Sequence, residues 1–243
     1  MPIFDTHVYL ESYPLPGVNQ NAEQVAQVMA NRGISNAVLF SQRALQVDPL
    51  SGNHILKAMI EPYPALFGAV GAHTSRIEAS VQAIRDILGS KRFVGTLLVG
   101  KDIGHPLHPI LSDEILIACR RYQKPIFLLT PNAACVEVGL SLAKAYSMHR
   151  FVFLGMGGQD WQNAIAAAHQ ATNILLETSG VLDMAKLPAA IEAIGAHRIL
   201  FGSGAPYHDP VATLGLLAEA GVTANNLQRI LFSNATKLFA LSE

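Results

Sequence analysis

Charge, cysteine and long apolar runs are all scarce in this sequence, and each scarcity closes a route. Charged residues make up 14% of the chain and the formal net charge is −1. No basic field is available to draw a polyanion, and no acidic surface to gather cations. Nucleic acid and membrane surfaces are therefore not expected as partners. The two cysteines, Cys119 and Cys135, cannot build a disulfide framework or a cysteine-rich zinc site. Each falls in a helical pattern, where we expect a buried free thiol. The longest apolar runs, "PIFLLTP" and "FVFLGMGG", are strand-sized and well short of the roughly 18 to 20 residues that cross a bilayer. The opening "MPIFDTHVYLE" lacks the basic and long apolar regions of a secretory signal, so we expect a cytoplasmic protein. No linker-like, low-complexity or repeated segment marks a domain boundary.

What is plentiful is hydrophobicity, at 50% of 243 residues, which suits a large buried core. Apolar β-type runs recur at regular intervals: Ile3 to Val8, Ala37 to Phe40, Leu66 to Val70, Phe93 to Val99, Ile126 to Leu129, Phe151 to Leu154, Ile174 to Leu176 and Ile199 to Phe201. Between them lie helical patterns. "NAEQVAQVMANRG" opens on Asn21 and Gln24 and stops at Gly33; "SRIEASVQAIRDILG" opens on Ser75 and Glu78, the spacing of a capping box, and stops near Gly89. Strands apolar on nearly every residue, alternating with helices, predict a parallel sheet covered on its outer face. Eight such units in this length predict an α/β fold, a (β/α)8 TIM barrel formed by residues 1–243 as one domain. A doubly wound sheet is the competitor, disfavoured because no G-x-G-x-x-G follows the first strand. The final "NLQRILFSNATKLFAL" reads as an amphipathic segment closing the barrel's outside.

Barrels of this kind carry their sites at the C-terminal ends of the strands, a rule that sorts the nine histidines. His149, His169 and His197 precede strands six, seven and eight, and His54 lies within a helical pattern; these four are expected to be structural. His7, His73, His105, His108 and His208 follow strands one, three, four, four and eight and are the candidates for chemistry. Alternate residues of a strand share a face, so Asp5, His7 and Tyr9 are expected to point together into the barrel mouth. An imidazole there could ligate a metal, act as a general base or bind a carboxylate. Small residues crowd the ends of strands six to eight, in "GMGGQD", "TSG" and "GSGAP". Backbone N–H groups can approach a ligand closely at such places, and phosphate commonly binds there in barrels. The plainer and stronger reading is that each glycine fills space or caps a turn.

The stretch "FDTHVYL" resembles the D-x-H-x-H opening of the amidohydrolase-related family of metal-dependent hydrolases and decarboxylases. The resemblance continues in order through "RFVGTLLVG", "HPLHPILSDEILIACRRYQKPIFLLTP", "HRFVFLGMGG", "NILLETSG", "IGAHRILFGSGAPYHDP" and "ILFSNATKLFAL", and spans essentially the whole chain. It implies the same barrel fold and a nominal hydrolase or lyase of a small polar, carboxylated metabolite. It also implies a metal site that this sequence departs from. His7 stands at the family's first histidine and Tyr9 at the second; Leu129, followed by Thr130, stands where a histidine ends strand five. Gly155 takes the place of the histidine of strand six, Gly204 that of the aspartate of strand eight, and Leu97 that of a lysine. A catalytic zinc needs about three protein ligands and an open position, so no cofactor is expected and the metal centre is read as degenerate. Zinc or another divalent metal is the expectation if that reading fails.

Two functions remain open. In the first, His7 transfers protons in metal-free chemistry, with Tyr9, Thr130 and His208 as hydrogen-bonding partners and His73, Lys101, Gly157, Glu177 and Ser203 as ligand-binding candidates. In the second, the barrel binds a ligand without catalysis, with an anion such as phosphate held by the loops after strands six to eight. A replacement metal site from His7, His208 and Glu177 is conceivable, without any spacing signature. The partner expected is a small molecule, with a homodimer possible by analogy to related barrels.

Overall fold

The computed structural model describes residues 1–11, 19–102, 104–180 and 182–241. Eight strands form one sheet: β1 (Phe4–Leu10), β2 (Asn36–Ser41), β3 (Leu66–His73), β4 (Phe93–Val99), β5 (Ile126–Leu129), β6 (Phe151–Leu154), β7 (Ile174–Glu177) and β8 (Ile199–Leu200). They lie in sequence order, and successive neighbours pair in parallel. The ring closes where Thr6 N–H donates to the Phe201 carbonyl at 2.9 Å, Gly204 N–H to the His7 carbonyl at 2.8 Å and Tyr9 N–H to the Ala205 carbonyl at 2.7 Å. At least one helix follows each strand, beginning with Ala22–Arg32 and ending with Pro210–Glu219. The barrel expected from the apolar periodicity is the one observed.

Two hydrophobic clusters follow from the alternation of strand side chains. Inward residues, among them Phe4, Val38, Ala69, Leu97, Phe127, Val152, Leu175 and Leu200, fill the barrel. Outward residues such as Leu39, Val70, Leu98, Leu128, Phe153 and Leu176 meet Val25, Leu56, Ile84, Leu116 and Leu142 of the helices. Helix starts are set by local chemistry. Asn21 and Gln24 form the expected reciprocal capping box, and Gly33 ends the same helix with φ 68°, a left-handed conformation that glycine adopts without a Cβ clash. Asp48 caps Pro49–Ile60 and Asn132 caps Ala133–Ala145. Cys119 and Cys135 are buried free thiols.

Three expectations need correction. Ser75 and Glu78 form no capping box: the helix Ile77–Ile87 begins after Arg76 without a side-chain cap, because Ser75 N–H is drawn to His73 Nδ1 at 3.0 Å. The final segment divides between the two layers: Leu227, Ile230 and Leu231 pack in the outer cluster as expected, whereas its other apolar residues enter the barrel's base. Phe232, Leu238, Phe239 and Leu241 pack on the interior cluster, and the Phe239 ring stands 5.5 Å from Phe4 and 6.2 Å from Phe127. Finally, Asp5 does not share the mouth with His7 and Tyr9. The pairing of β1 with β2 shifts register between Asp5 and Val8, which breaks the simple alternation and sends the Asp5 carboxylate towards Ser203.

Candidate active site

A cavity of about 700 Å³ opens at the C-terminal ends of the strands, within the size range of small-molecule sites. Its wall is mostly aliphatic and aromatic, with Tyr9, Leu45, Leu129, Pro131, Leu154 and Tyr207. The polar side chains bordering it are His7, Gln42, Gln46, Thr130, Gln159, Ser179 and His208. No Lys or Arg lines it among the described residues.

His7 occupies the inward face of β1, and Glu177, the last residue of β7, meets it across the seam. Glu177 is fully buried. Its Oε2 accepts from His7 Nδ1 at 3.1 Å, Ser179 Oγ at 2.7 Å and Gly155 N–H at 3.0 Å, while Oε1 accepts from Ser179 N–H at 2.6 Å. Burial by itself would raise the Glu177 pKa; the hydrogen bond and charge of His7, then Ser179 and the Gly155 amide, outweigh it and hold the carboxyl below its ordinary value. The meeting needs a glycine at position 202. A Cβ there would overlap Glu177 Oε1 and lie 2.8 Å from His7 Cβ.

The tautomer of His7 follows from its partners. An ionised carboxylate only accepts, and Ser179 spends its hydroxyl hydrogen on Glu177, so Nδ1 carries the proton. Ser179 Oγ, 3.0 Å from Nδ1, shares that hydrogen. The far nitrogen, Nε2, is then a free lone pair in the neutral ring, and it has no hydrogen-bond partner among the described residues. Tyr9 and Phe40 pack edge-on to the imidazole with centroids at 4.9 and 5.6 Å, which fixes its plane. Behind the β7 end, buried Lys186 donates to the carbonyls of Thr178 at 2.8 Å and Ser179 at 3.2 Å. Burial lowers its pKa to about 8.

A second buried carboxylate lies beside the first. Asp5 accepts from Ser203 N–H at 2.9 Å, Ser203 Oγ at 2.6 Å and His7 N–H at 3.2 Å. Burial raises its pKa to about 6, against the lowering effect of Ser203 and the His7 amide and with a further upward push from the Glu177 charge.

The expected site residues thus separate. His7, Tyr9, Thr130 and His208 border the cavity. Yet His7 is hydrogen-bonded by Glu177 and Ser179. Thr130 Oγ1 donates instead to the Leu154 carbonyl at 3.0 Å, His208 is exposed, and Tyr9 contributes a ring face. Burial pushes the Tyr9 phenol far up, which keeps it protonated. His73 and Lys101 line a separate groove with Arg76 and Asp102. Gly157 and Ser203 are buried away from the main cavity's lining. His105 and His108 are exposed. The Gly155 amide of the glycine-rich loop after β6 is spent on Glu177, the protein's own anion. Ser179, Gln42 and Tyr207 were missed. Ser179 stands three residues past the end of the Ile174–Leu176 run and Gln42 two past Ala37–Phe40, so the rule for barrel sites could have found both.

Comparison with known proteins adds the following. The amidohydrolase family profile matches residues 14–241. No curated protein matches the sequence. Among solved structures, 2,6-dihydroxybenzoate decarboxylase complexed with 2,6-dihydroxybenzoate aligns with TM-score 0.79 at 16% identity, over 99% of each chain. A dihydroxybenzoic acid decarboxylase from a Polaromonas species, with bound manganese and 2-nitroresorcinol, aligns with TM-score 0.79 at 15% identity, over 100% of this chain and 98% of the other. The 5-carboxyvanillate decarboxylase of Sphingomonas paucimobilis aligns with TM-score 0.76 at 11% identity, over 99% of each chain. At these identities the likeness is one of fold.

The manganese of such a structure asks whether this mouth fits a divalent cation. Among the described residues no group of three or more His, Cys, Asp or Glu side chains could hold one. The remaining positions contain a single residue of those types, Glu243. The oxygens of Glu177 and Asp5 are turned to the donors named above, and Leu129, Gly155 and Gly204 offer no side-chain ligand. The donor set at the mouth does not fit a divalent metal.

Proposed function

Since this chain belongs to the amidohydrolase family, we propose that it is a metal-independent acid–base enzyme, a lyase or hydrolase of a small carboxylated compound with a largely apolar body. The observation that supports this is the unequal state of the two His7 nitrogens: Nδ1 is anchored to a buried carboxylate, and Nε2 is buried beside the cavity and unpartnered among the described residues. Glu177 fixes the ring and stabilises the imidazolium that forms when Nε2 takes up a proton, the arrangement an efficient proton-transfer group requires. Apolar walls shield the ligand from bulk water, which strengthens the electrostatics of the pair.

Decarboxylation is favoured over hydrolysis because proteins of similar fold are decarboxylases of aromatic carboxylates. In that reaction protonated His7 delivers the Nε2 proton to the carbon that loses carbon dioxide. The electron pair of the breaking C–C bond goes to the new C–H bond, and solvent restores the proton to the ring. No step passes through a metal. The test is a screen of aromatic and alicyclic carboxylates, with lactones as the hydrolytic arm, in excess chelator. Turnover is expected to persist with chelator and to fall about 100-fold or more in His7→Gln. Abolition by chelator, or full activity in His7→Gln, overturns the proposal. Inertness towards every compound would leave the ligand-binding alternative.

A further inference from the structure

The cavity holds a second unspent polar atom. Gln42, immediately after β2, is only 2% exposed and borders the cavity. Its Nε2 donates to the Tyr207 hydroxyl at 2.8 Å, while Oε1 has no partner among the described residues. The residue is held in place, because Ser41 caps the short helix Gln42–Gln46 through the Ala44 amide at 3.1 Å. Leu45 of the same helix is buried against the barrel interior. A row of rings separates this point from His7. The Tyr9 centroid lies 4.9 Å from His7 and 5.3 Å from Tyr207.

An amide oxygen buried without a partner costs on the order of 1 to 3 kcal/mol. A ligand that satisfies it recovers that cost, and an analogue lacking the group does not. The orientation of the amide is an assignment, yet the conclusion survives its reversal. The Tyr207 hydroxyl can donate or accept, so whichever end of the amide it holds, the other end is left over. With no Lys or Arg lining the cavity among the described residues, a charged group at that end would be desolvated without compensation. A hydroxyl meets both orientations, since it can give a hydrogen bond to the oxygen or take one from the nitrogen.

We infer that Gln42, positioned by Tyr207, is a specificity-determining residue that selects compounds carrying an uncharged hydroxyl at the end remote from the group that meets His7. This rests on the proposed role of His7, and the test separates the two. Cyclohexanecarboxylate and trans-4-hydroxycyclohexanecarboxylate are titrated by calorimetry or ligand-observed NMR into the native protein and into Gln42→Leu, Tyr207→Phe and His7→Leu. The native protein is expected to prefer the hydroxy acid by about 10-fold, one good hydrogen bond. In Gln42→Leu the preference disappears, whereas His7→Leu weakens both acids alike and keeps the preference. Tyr207→Phe, at a partly exposed position, carries the test if Gln42→Leu fails to fold, and is expected to reduce the preference to about 3-fold or less. Equal or undetectable binding of both acids by native protein overturns the inference, as does a preference that survives either variant. A preference lost in Gln42→Leu beside an unaffected His7→Leu would sink the role of His7 and leave this one standing.

Discussion

Two carboxylates lie buried side by side at the seam between β1, β7 and β8, and they ionise in opposite senses. Glu177 is held below its ordinary pKa and Asp5 is pushed up to about 6. Burial alone does not distinguish them, since each is no more than 1% exposed. Nor does the supply of hydrogen bonds, which Ser179 and Gly155 give to one and Ser203 and the His7 amide to the other. The difference is an imidazole: Glu177 faces a ring able to carry positive charge, whereas Asp5 faces neutral donors and the charge of Glu177 itself. A buried carboxylate is kept ionised here where its neighbour can exchange a proton.

Breaking the favoured pair has the largest expected effect. Glu177→Gln turns one carboxylate oxygen into an NH2 donor that must face either the Ser179 amide or the Gly155 amide and removes the charge opposite His7, so a loss of about 3 kcal/mol is expected in urea unfolding at pH 7. Because the Glu177 pKa is lowered on folding, its contribution is present above the unfolded value near 4.5 and is lost as pH falls through the native one. The gap between native protein and variant should narrow on acidification. A constant gap from pH 7 to pH 3 would show that folding does not lower the Glu177 pKa.

Asp5 reverses the sign. A pKa raised from 3.8 to about 6 gives stability that is full below pH 3.8 and lost as pH rises through 6. The shift corresponds to at most about 3 kcal/mol. The stability of native protein relative to Asp5→Asn should therefore decline across that window, the opposite of the Glu177 trend. Parallel pH profiles for the two variants would contradict the comparison. The smallest effect is expected from Gly202→Ala, whose methyl group would be wedged between the partners. A cost of about 1 to 3 kcal/mol should accompany a fall in any turnover that depends on His7, measured at saturating substrate.

The barrel was legible because its cause is local. Apolar runs of strand length alternate with helical patterns, and the ends of β4, β5 and β6 coincide with the runs read from the sequence. His7 was legible from the strand-end rule, and Glu177 from its place at the end of a strand. Their contact was not, because 170 residues separate them and nothing short of the closed ring, with β8 between the two strands, brings the end of β1 near that of β7. Asp5 was misplaced for a related reason: alternation assumes a regular strand, and the register shift against β2 becomes visible only once both strands are paired. Gln42 carried no motif, and its significance comes from the unspent amide oxygen. The closing tail was read only as a cover, and its part in the barrel interior was missed, because amphipathicity says that one face is buried without saying against what.

The seam where Phe201, Gly204 and Ala205 bond back to β1 has a kinetic consequence. Most contacts of this fold join neighbouring βα units, whereas the dyad and Asp5 with Ser203 join the first strand to residues 170 and 198 positions away. Closing such long loops is the slow part of assembling a chain. Strands and helices can therefore gather into an open sheet with most of its helical cover before His7 meets Glu177. The His7–Glu177 pair comes into being with the last strand pairing, and an intermediate rich in secondary structure would still lack it.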